Sequence, residues 1–312
     1  MMDLHAFENR LRKNQRHWSK WARRRGIGCY RCYDRDIPEF PLAIDWYEDE
    51  VHAQIYARKG LEPLDEADET AIGEAIKQVL EIPDAALAFK TRQRQRGLAQ
   101  YEKTGETGRP RVVHEGGLAF EVDLHSYLDT GLFLDHRETR NWVREQAAGR
   151  RMLNLFAYTG SFSVYAAAGG ALSTTSVDLS NTYQSWTRRN LRLNGFDAAD
   201  HTLVRTDVFE YLEQAIRERR QFGVIVLDPP SFSNSKKMLE ILDVQRDHPR
   251  LIESCLKLLT PNGILVFSTN RRRFKIDPGL TSLPGAEEIT RITLAEDFKR
   301  HPAHRCWVFQ SA

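Results

Sequence analysis

The chain has 312 residues, 28% of them charged, yet its formal net charge is only +2. That length can bury a full core and suits one large domain plus a smaller one. No apolar run approaches the roughly 20 residues that a membrane-spanning helix needs, and the opening Met-Met-Asp-Leu-His-Ala-Phe-Glu is no secretory signal, so the expectation is a cytoplasmic protein without membrane association. The four cysteines are Cys29, Cys32, Cys255 and Cys306. A lone Cys-x-x-Cys with no second pair and no clustered histidines is a poor zinc site, so reduced thiols and no metal are expected.

The spacing of Leu4, Phe7, Leu11, Trp18 and Trp21 predicts an amphipathic helix over residues 4–25, ending before Gly26. From Arg10 to Arg25 it carries eight Lys/Arg and no acid, including the terminal Arg23, Arg24 and Arg25. Such a block suits a phosphate backbone, the plain alternative being a solvated helix face. Residues 43–47 and 51–56 read as a hairpin about Glu48-Asp49-Glu50. A helix over 66–80 and strands near 87–91, 111–114 and 119–124 complete a small α+β unit, placed at residues 1–129.

From Thr130 the pattern changes to alternating strands and helices. After a helix at 137–147 come strand 151–156, helix 160–168, strand 173–177, helix 181–193, strand 202–205, helix 207–220, strand 222–227, helix 244–259 and strand 263–268. Segments 287–293 and 304–310 supply final strands. This alternation predicts an α/β domain over 130–312 with a Rossmann-like parallel sheet covered by helices on both faces.

The strand 222–227 ends in Asp228-Pro229-Pro230-Ser231-Phe232. Proline has no N–H for a sheet and restricts the residue before it, so pairing stops and Asp228 is held at a strand's carboxyl end, where open α/β sheets bind ligands. The first strand of the domain runs into Ala157-Tyr158-Thr159-Gly160-Ser161, with one glycine rather than the Gly-x-Gly-x-x-Gly of a dinucleotide site. A cofactor without phosphates, such as S-adenosylmethionine, needs only that tight turn. Asp178, followed by Leu179, comes after the second strand and can accept ribose hydroxyls. Asp207, followed by Val208, comes after the third and is placed for an adenine amino group. Either acid taken singly could equally be a helix N-cap.

With these residues in place the chain resembles the S-adenosylmethionine-dependent RNA methyltransferases. More narrowly it is similar to the carboxyl-terminal half of the bifunctional ribosomal RNA large subunit methyltransferases K/L. The resemblance rests on Asn9 to Asn14, Trp21 to Arg23, Cys29 to Arg31, the run Tyr127 to Arg137, the turn Asn154 to Gly160, Arg189 to Gly195, Asp228 to Lys236 and Asp243 to His248. It implies a seven-stranded sheet with its last strand antiparallel, and a cofactor site lined by Thr159 to Ser161, Asp178, Asp207 and Asp228 under a cover of Leu134 to Arg137, with Asp135 and Arg137 among its cofactor contacts. It also implies guanine N7 of 23S rRNA, or of a large-subunit assembly intermediate, as target. The family's other half, with its THUMP domain and guanine-N2 methyltransferase, has no counterpart in these residues, which brings in a separate THUMP-containing methyltransferase as a partner.

Guanine N7 has an in-plane lone pair and no proton, so its methylation needs orientation rather than a general base. That suits a site in which the sequence offers no evident catalytic cysteine or histidine. Asp228 would orient the base or the cofactor, Ser231 would sit beside it, and Phe232 would stack on an extruded base. Lys236, Lys237, Arg271, Arg272 and Arg273 follow two successive strands and could hold phosphates. Formation of 5-methylcytosine would call for a cysteine nucleophile that neither loop contains. Amino-group methylation, including guanine N2, goes with an aromatic directly after the prolines, where this chain has Ser231. A non-catalytic RNA-binding assembly factor remains the alternative from a different class.

Overall fold

The computed structural model describes residues 3–56, 64–92, 109–127, 129–196, 199–233 and 241–311. The chain divides into two compact units, one made of Met1–Gly117, Val122–Thr130 and Glu296–His301, the other of Leu118–Glu121, Gly131–Ala295 and Pro302–Ala312. No described helix is long and apolar enough to cross a membrane.

The first unit opens with helix α1 (Leu4–Arg25), whose N-cap Asp3 accepts from the Ala6 N–H at 3.0 Å and whose C-cap is the left-handed Gly26. This is the helix the apolar spacing predicts. It buries Phe7, Leu11 and Ala22, with Phe7 stacked on Phe40 at 4.7 Å and edge-on to Tyr33 at 5.3 Å. Lys13, Arg16, Lys20, Arg23 and Arg24 stay exposed. Strands β1 (Cys29–Asp34), β2 (Leu42–Tyr47) and β3 (Glu50–Tyr56), helix α2 (Glu66–Leu80) and strand β4 (Leu87–Arg92) follow. They form a sheet of order β1-β2-β3-β4. β2 and β3 are the expected hairpin, and β3 and β4 are parallel, which the intervening helix makes possible.

Strand β1 escapes sequence reading because it is buried on both faces and shows no alternation. Its Arg31 is gripped by Asp45 through two hydrogen bonds of 2.7 and 2.9 Å, and its N–H donates to Asp297 at 2.9 Å. Burial pushes the Asp45 carboxyl up against the opposing pull of Arg31. An internal ion pair of this kind costs desolvation and is tolerable only when fully hydrogen-bonded.

Strands β5 (Arg111–Glu115) and β6 (Leu118–Val122) lead to the second unit. It contains α3 (Arg137–Gln146), β7 (Arg151–Leu155), α4 (Ser161–Ala168), β8 (Ser173–Val177), α5 (Asn181–Leu193), β9 (His201–Val204), α6 (Val208–Arg217) and β10 (Phe222–Leu227). There follow the short strands β11 (Phe232–Ser233) and β12 (Leu242–Asp243), α7 (Val244–Leu256), β13 (Leu259–Thr269), α8 (Pro278–Thr281), β14 (Ala286–Glu288), α9 (Thr290–Thr293) and β15 (Arg305–Gln310). The main sheet has seven strands in the order β14-β15-β13-β10-β7-β8-β9. β9, β8, β7, β10 and β13 are parallel, and β15 runs antiparallel to β13 and β14 to β15.

Alternation along the central strands assigns each face its helices. Ile225 and Leu227 of β10 join a core with Val208, Tyr211 and Leu212 of α6 and Leu251, Ile252 and Cys255 of α7. Val224 and Val226 face the other way, onto Val143 of α3 and Phe162 and Ala166 of α4. Strand order reverses between β7 and β10, so their carboxyl ends flank the switch point at which α/β sheets bind ligands. Pairing of Leu227 with both Leu155 and Phe267, and of Leu155 with Val177, aligns the residues that follow, Phe156, Asp178, Asp228 and Ser268, along one edge.

Gly131, at φ +100°, tests the packing of this unit. A Cβ there would overlap the buried Trp186 indole, whose Nε1 donates to the Glu121 carbonyl at 2.9 Å. Gly131→Ala should lower unfolding stability by about 2 kcal/mol or more through combined strain and overpacking. Denaturant titration checks this, and an unchanged midpoint would contradict it.

Candidate active site

Asp228 sits at the centre of the carboxyl edge with its side chain 26% exposed. Ser268, at the corresponding position on β13, donates from Oγ to Asp228 Oδ1 at 2.6 Å. On the other side, His136 Nε2 lies 3.5 Å from Asp228 Oδ2. Sequence reading assigns His136 no role beyond its place in the run Leu134 to Arg137; the structure brings its imidazole to Asp228 through the short turn before α3. His136 in turn stacks on His304 at 4.0 Å with 17° between the rings, and His304 Nδ1 lies 2.8 Å from Asp135 Oδ2. Burial, then the His304 neighbour, depresses the His136 imidazole to about 4, against the pull of Asp228 and Asp135. It is therefore neutral at pH 7. Polar atoms of Asp135, His136 and His304 lie within 4.8 Å of one another, but nearly parallel rings aim their in-plane lone pairs along separate planes rather than at one ion.

The turn after β7 is unusual in its backbone. Phe156, Tyr158 and Gly160 all have positive φ, at 56°, 51° and 75°, and non-glycine residues held this way concentrate at functional sites. Gly160 is required because a Cβ would overlap the Thr187 side chain. The turn is pinned from several sides. Thr159 Oγ1 donates to the Gly131 carbonyl at 2.6 Å, Thr187 Oγ1 to the Tyr158 carbonyl at 3.0 Å and Asn190 Nδ2 to the Thr159 carbonyl at 2.8 Å. Ala157 and Thr159 are buried, while Ser161 opens α4 half-exposed.

Asp178 belongs to this turn. Its Oδ2 accepts from the Tyr158 N–H at 2.9 Å and its Oδ1 from the Ser180 N–H at 2.8 Å. Desolvation nevertheless raises its pKa to about 6, the two N–H groups opposing. Ser180, not Asp178, caps α5, and Leu179 lies between them half-buried. Asp207 does cap its helix. Its Oδ1 accepts from the Phe209 N–H at 2.8 Å, and its neighbour Val208 is turned into the core.

The other sequence-flagged residues divide. Ser231 Oγ donates to Asn270 Oδ1 at 2.6 Å, joining the Pro-Pro loop to the end of β13. Phe232 is 52% exposed. Asp135 and Arg137 are buried beside His136, Asp135 through its bond to His304. Arg271 is committed to Asp243 at 2.7 Å, whereas Arg272 and Arg273 are exposed. Arg25 lies 3.3 Å from Glu296 and over the Trp21 ring. Lys236 and Lys237 fall outside the described residues.

The family profile of the S-adenosylmethionine-dependent methyltransferases matches residues 45–304. The chain belongs to that family. It is 52% identical over 309 residues to ribosomal RNA large subunit methyltransferase K of Neisseria meningitidis serogroup B, covering 98% of this chain and 87% of that protein. With the K/L protein of Methylococcus capsulatus it shares 50% over 307 residues, which is 96% of this chain but 42% of that longer one. Among solved structures, SMU.776 complexed with SAH superposes with a TM-score of 0.80 at 27% identity, covering 99% of this chain and 82% of that one. The cofactor of this methyltransferase is S-adenosylmethionine.

The raised Asp178 pKa has a stability consequence. Between about 4 and 6 the folded chain keeps a proton that the unfolded chain has lost, so Asp178's contribution is fully present below pH 4 and declines as pH rises through 6. Relative to Asp178→Asn, the ligand-free protein should lose up to about 3 kcal/mol across that window. Unfolding at pH 4, 5, 6 and 7 measures the difference; a flat difference would contradict the assignment.

Proposed function

We propose that this methyltransferase methylates guanine N7 of 23S rRNA in the cytoplasm, on the RNA itself or within a large-subunit assembly intermediate. The observation that carries the reading is the end-to-end similarity to a ribosomal RNA large subunit methyltransferase K, joined to a site whose chemistry suits a target that needs no deprotonation. S-adenosylmethionine supplies an electrophilic methyl group on a positively charged sulfur. Guanine N7 presents a lone pair, so the new N–C bond forms as the C–S bond breaks and no proton moves.

Around the cofactor, the backbone of Ala157 to Ser161 would meet the methionine part and Asp178 the ribose hydroxyls, with Leu179 alongside. Asp207, which caps α6 through Oδ1, would take the adenine amino group, with Val208 behind. Asp135 and Arg137 belong to the cover. The residues fit the group: among the described residues Asp178 accepts two N–H bonds, which do not offset its desolvation, and two hydroxyl donors would stabilise its charged form. Asp228 would accept from the Watson–Crick edge of the extruded guanine, with Ser231 fixing the loop and Phe232 offering an exposed ring for stacking.

The cysteine chemistry of carbon methylation is disfavoured. Cys255 and Cys306 are fully buried, and desolvation pushes both thiols up, away from the reactive thiolate. The RNA grip is assigned to the exposed face of α1, with Arg23 and Arg24, Arg25 being partly engaged, and to Arg272, Arg273, Lys236 and Lys237. Arg271 serves chiefly to tie the loops together. A separate THUMP-containing methyltransferase is proposed as a partner by likeness to the K/L proteins.

Asp228→Ala should abolish methyl transfer to 23S rRNA, by roughly a hundredfold or more in kcat if base orientation is its role, with SAH affinity retained. Full turnover would remove Asp228 from the site. SAH affinity should fall as pH drops below about 6, by up to roughly tenfold per unit, because binding then has to displace the Asp178 proton. Calorimetry from pH 5 to 8 reads this, and a wild-type profile as flat as that of Asp178→Asn would contradict it. Replacing Arg23 and Arg24 together should reduce the slope of log K for RNA against log salt by about 2; an unchanged slope would make α1 a solvated face.

A further inference from the structure

His136 and His304 are two buried imidazoles at the catalytic edge, at 5% and 2% exposure, and burying polar rings is unfavourable unless their nitrogens are used. The partners are specific. His304 Nδ1 meets Asp135 at 2.8 Å, His136 Nδ1 meets Thr139 Oγ1 at 3.3 Å, and Phe162 abuts the His136 ring edge-on at 5.6 Å. With Nδ1 beside Thr139 and the ring packed against His304 and Phe162, His136 Nε2 lies 3.5 Å from Asp228 Oδ2 and 3.9 Å from Asp135 Oδ2, so Asp228 is the nearer carboxylate.

We propose that His136 is a positioning residue for the Asp228 carboxylate. Ser268 holds Oδ1, and a carboxylate fixed at one oxygen can still swing about its bond to the chain. The imidazole edge limits that swing at the second oxygen, leaving the outward lone pairs for the target base. The stack on His304, itself fixed by Asp135, sets where that edge stands. The groups facing His136 are His304 from just before β15, Asp228 from just after β10, and Asp135 and Arg140 from the turn and helix that carry it. Burial first, then His304 and Arg140, outweigh the pull of Asp228 and Asp135 and keep the ring neutral, so it does not compete with the substrate for the carboxylate as a cation would. This inference rests on the reading of Asp228 as the base-orienting acid.

The test uses amide replacements of different reach. A Gln amide extends to where the imidazole Nε2 stands, whereas an Asn amide stops near Nδ1. His136→Asn should lower kcat for 23S rRNA methylation by roughly tenfold, and His136→Gln should recover most of that loss, on the scale expected for misplacing a reacting group. SAH binding by calorimetry should be unchanged in both. The proposal is overturned if both variants turn over like the wild type, if both are equally impaired, or if the loss lies in SAH affinity. An inactive Asp228→Ala beside a fully active His136→Asn would overturn this proposal alone. A fully active Asp228→Ala would overturn the parent reading as well.

Discussion

Four parallel strands end at the same level, and everything proposed for the site depends on that register. Leu155, Val177, Leu227 and Phe267 are the paired last or near-last residues of β7, β8, β10 and β13. The residue after each falls at one edge whatever the loops do next. Pro229 and Pro230 enforce the ending at β10, since neither can donate to the ladder. The reversal of strand order between β7 and β10 makes this the topological switch point of the sheet. Asp228 lies at that point with Ser268 on its neighbouring strand.

The local backbone is organised to hold charge without neutralising it. Asp178 is kept by two N–H donors from its own edge, one of them contributed by the strained turn at Tyr158. Its raised pKa shows that these two bonds fall short of offsetting desolvation. Hydroxyl donors arriving at this carboxylate, as proposed for the cofactor ribose, would favour its charged form. At Asp228 the hold is different, with a hydroxyl on one oxygen and a neutral imidazole near the other.

Much of this was legible in the sequence because it is local. The apolar period placed α1 within its observed ends, and the alternation of strand and helix placed the parallel sheet. Acids directly after strands marked Asp178 and Asp228. What was not legible depends on residues distant in the chain. His304 reaches His136 only through the antiparallel return of β15, and the glutamate and aspartate of Glu296–Phe298 bond Trp21 and Arg31 in the amino-terminal unit. Strand β1 gave no alternating signal because both faces are covered. Asp207 carries a helix cap, and Arg271, part of a conspicuous basic run, is held by Asp243. Local pattern fixes where a side chain starts; its partner is set by topology.

The central claim is that this edge of the sheet delivers a methyl group to N7 of a guanine in 23S rRNA. Mass-spectrometric nucleoside analysis of 23S rRNA from cells lacking the protein, against the parent strain, tests it most directly. The expected result is loss of 7-methylguanosine at one site, restored by the wild-type chain and not by Asp228→Ala. Retention of every 7-methylguanosine, with or without loss of another mark, would contradict the claim.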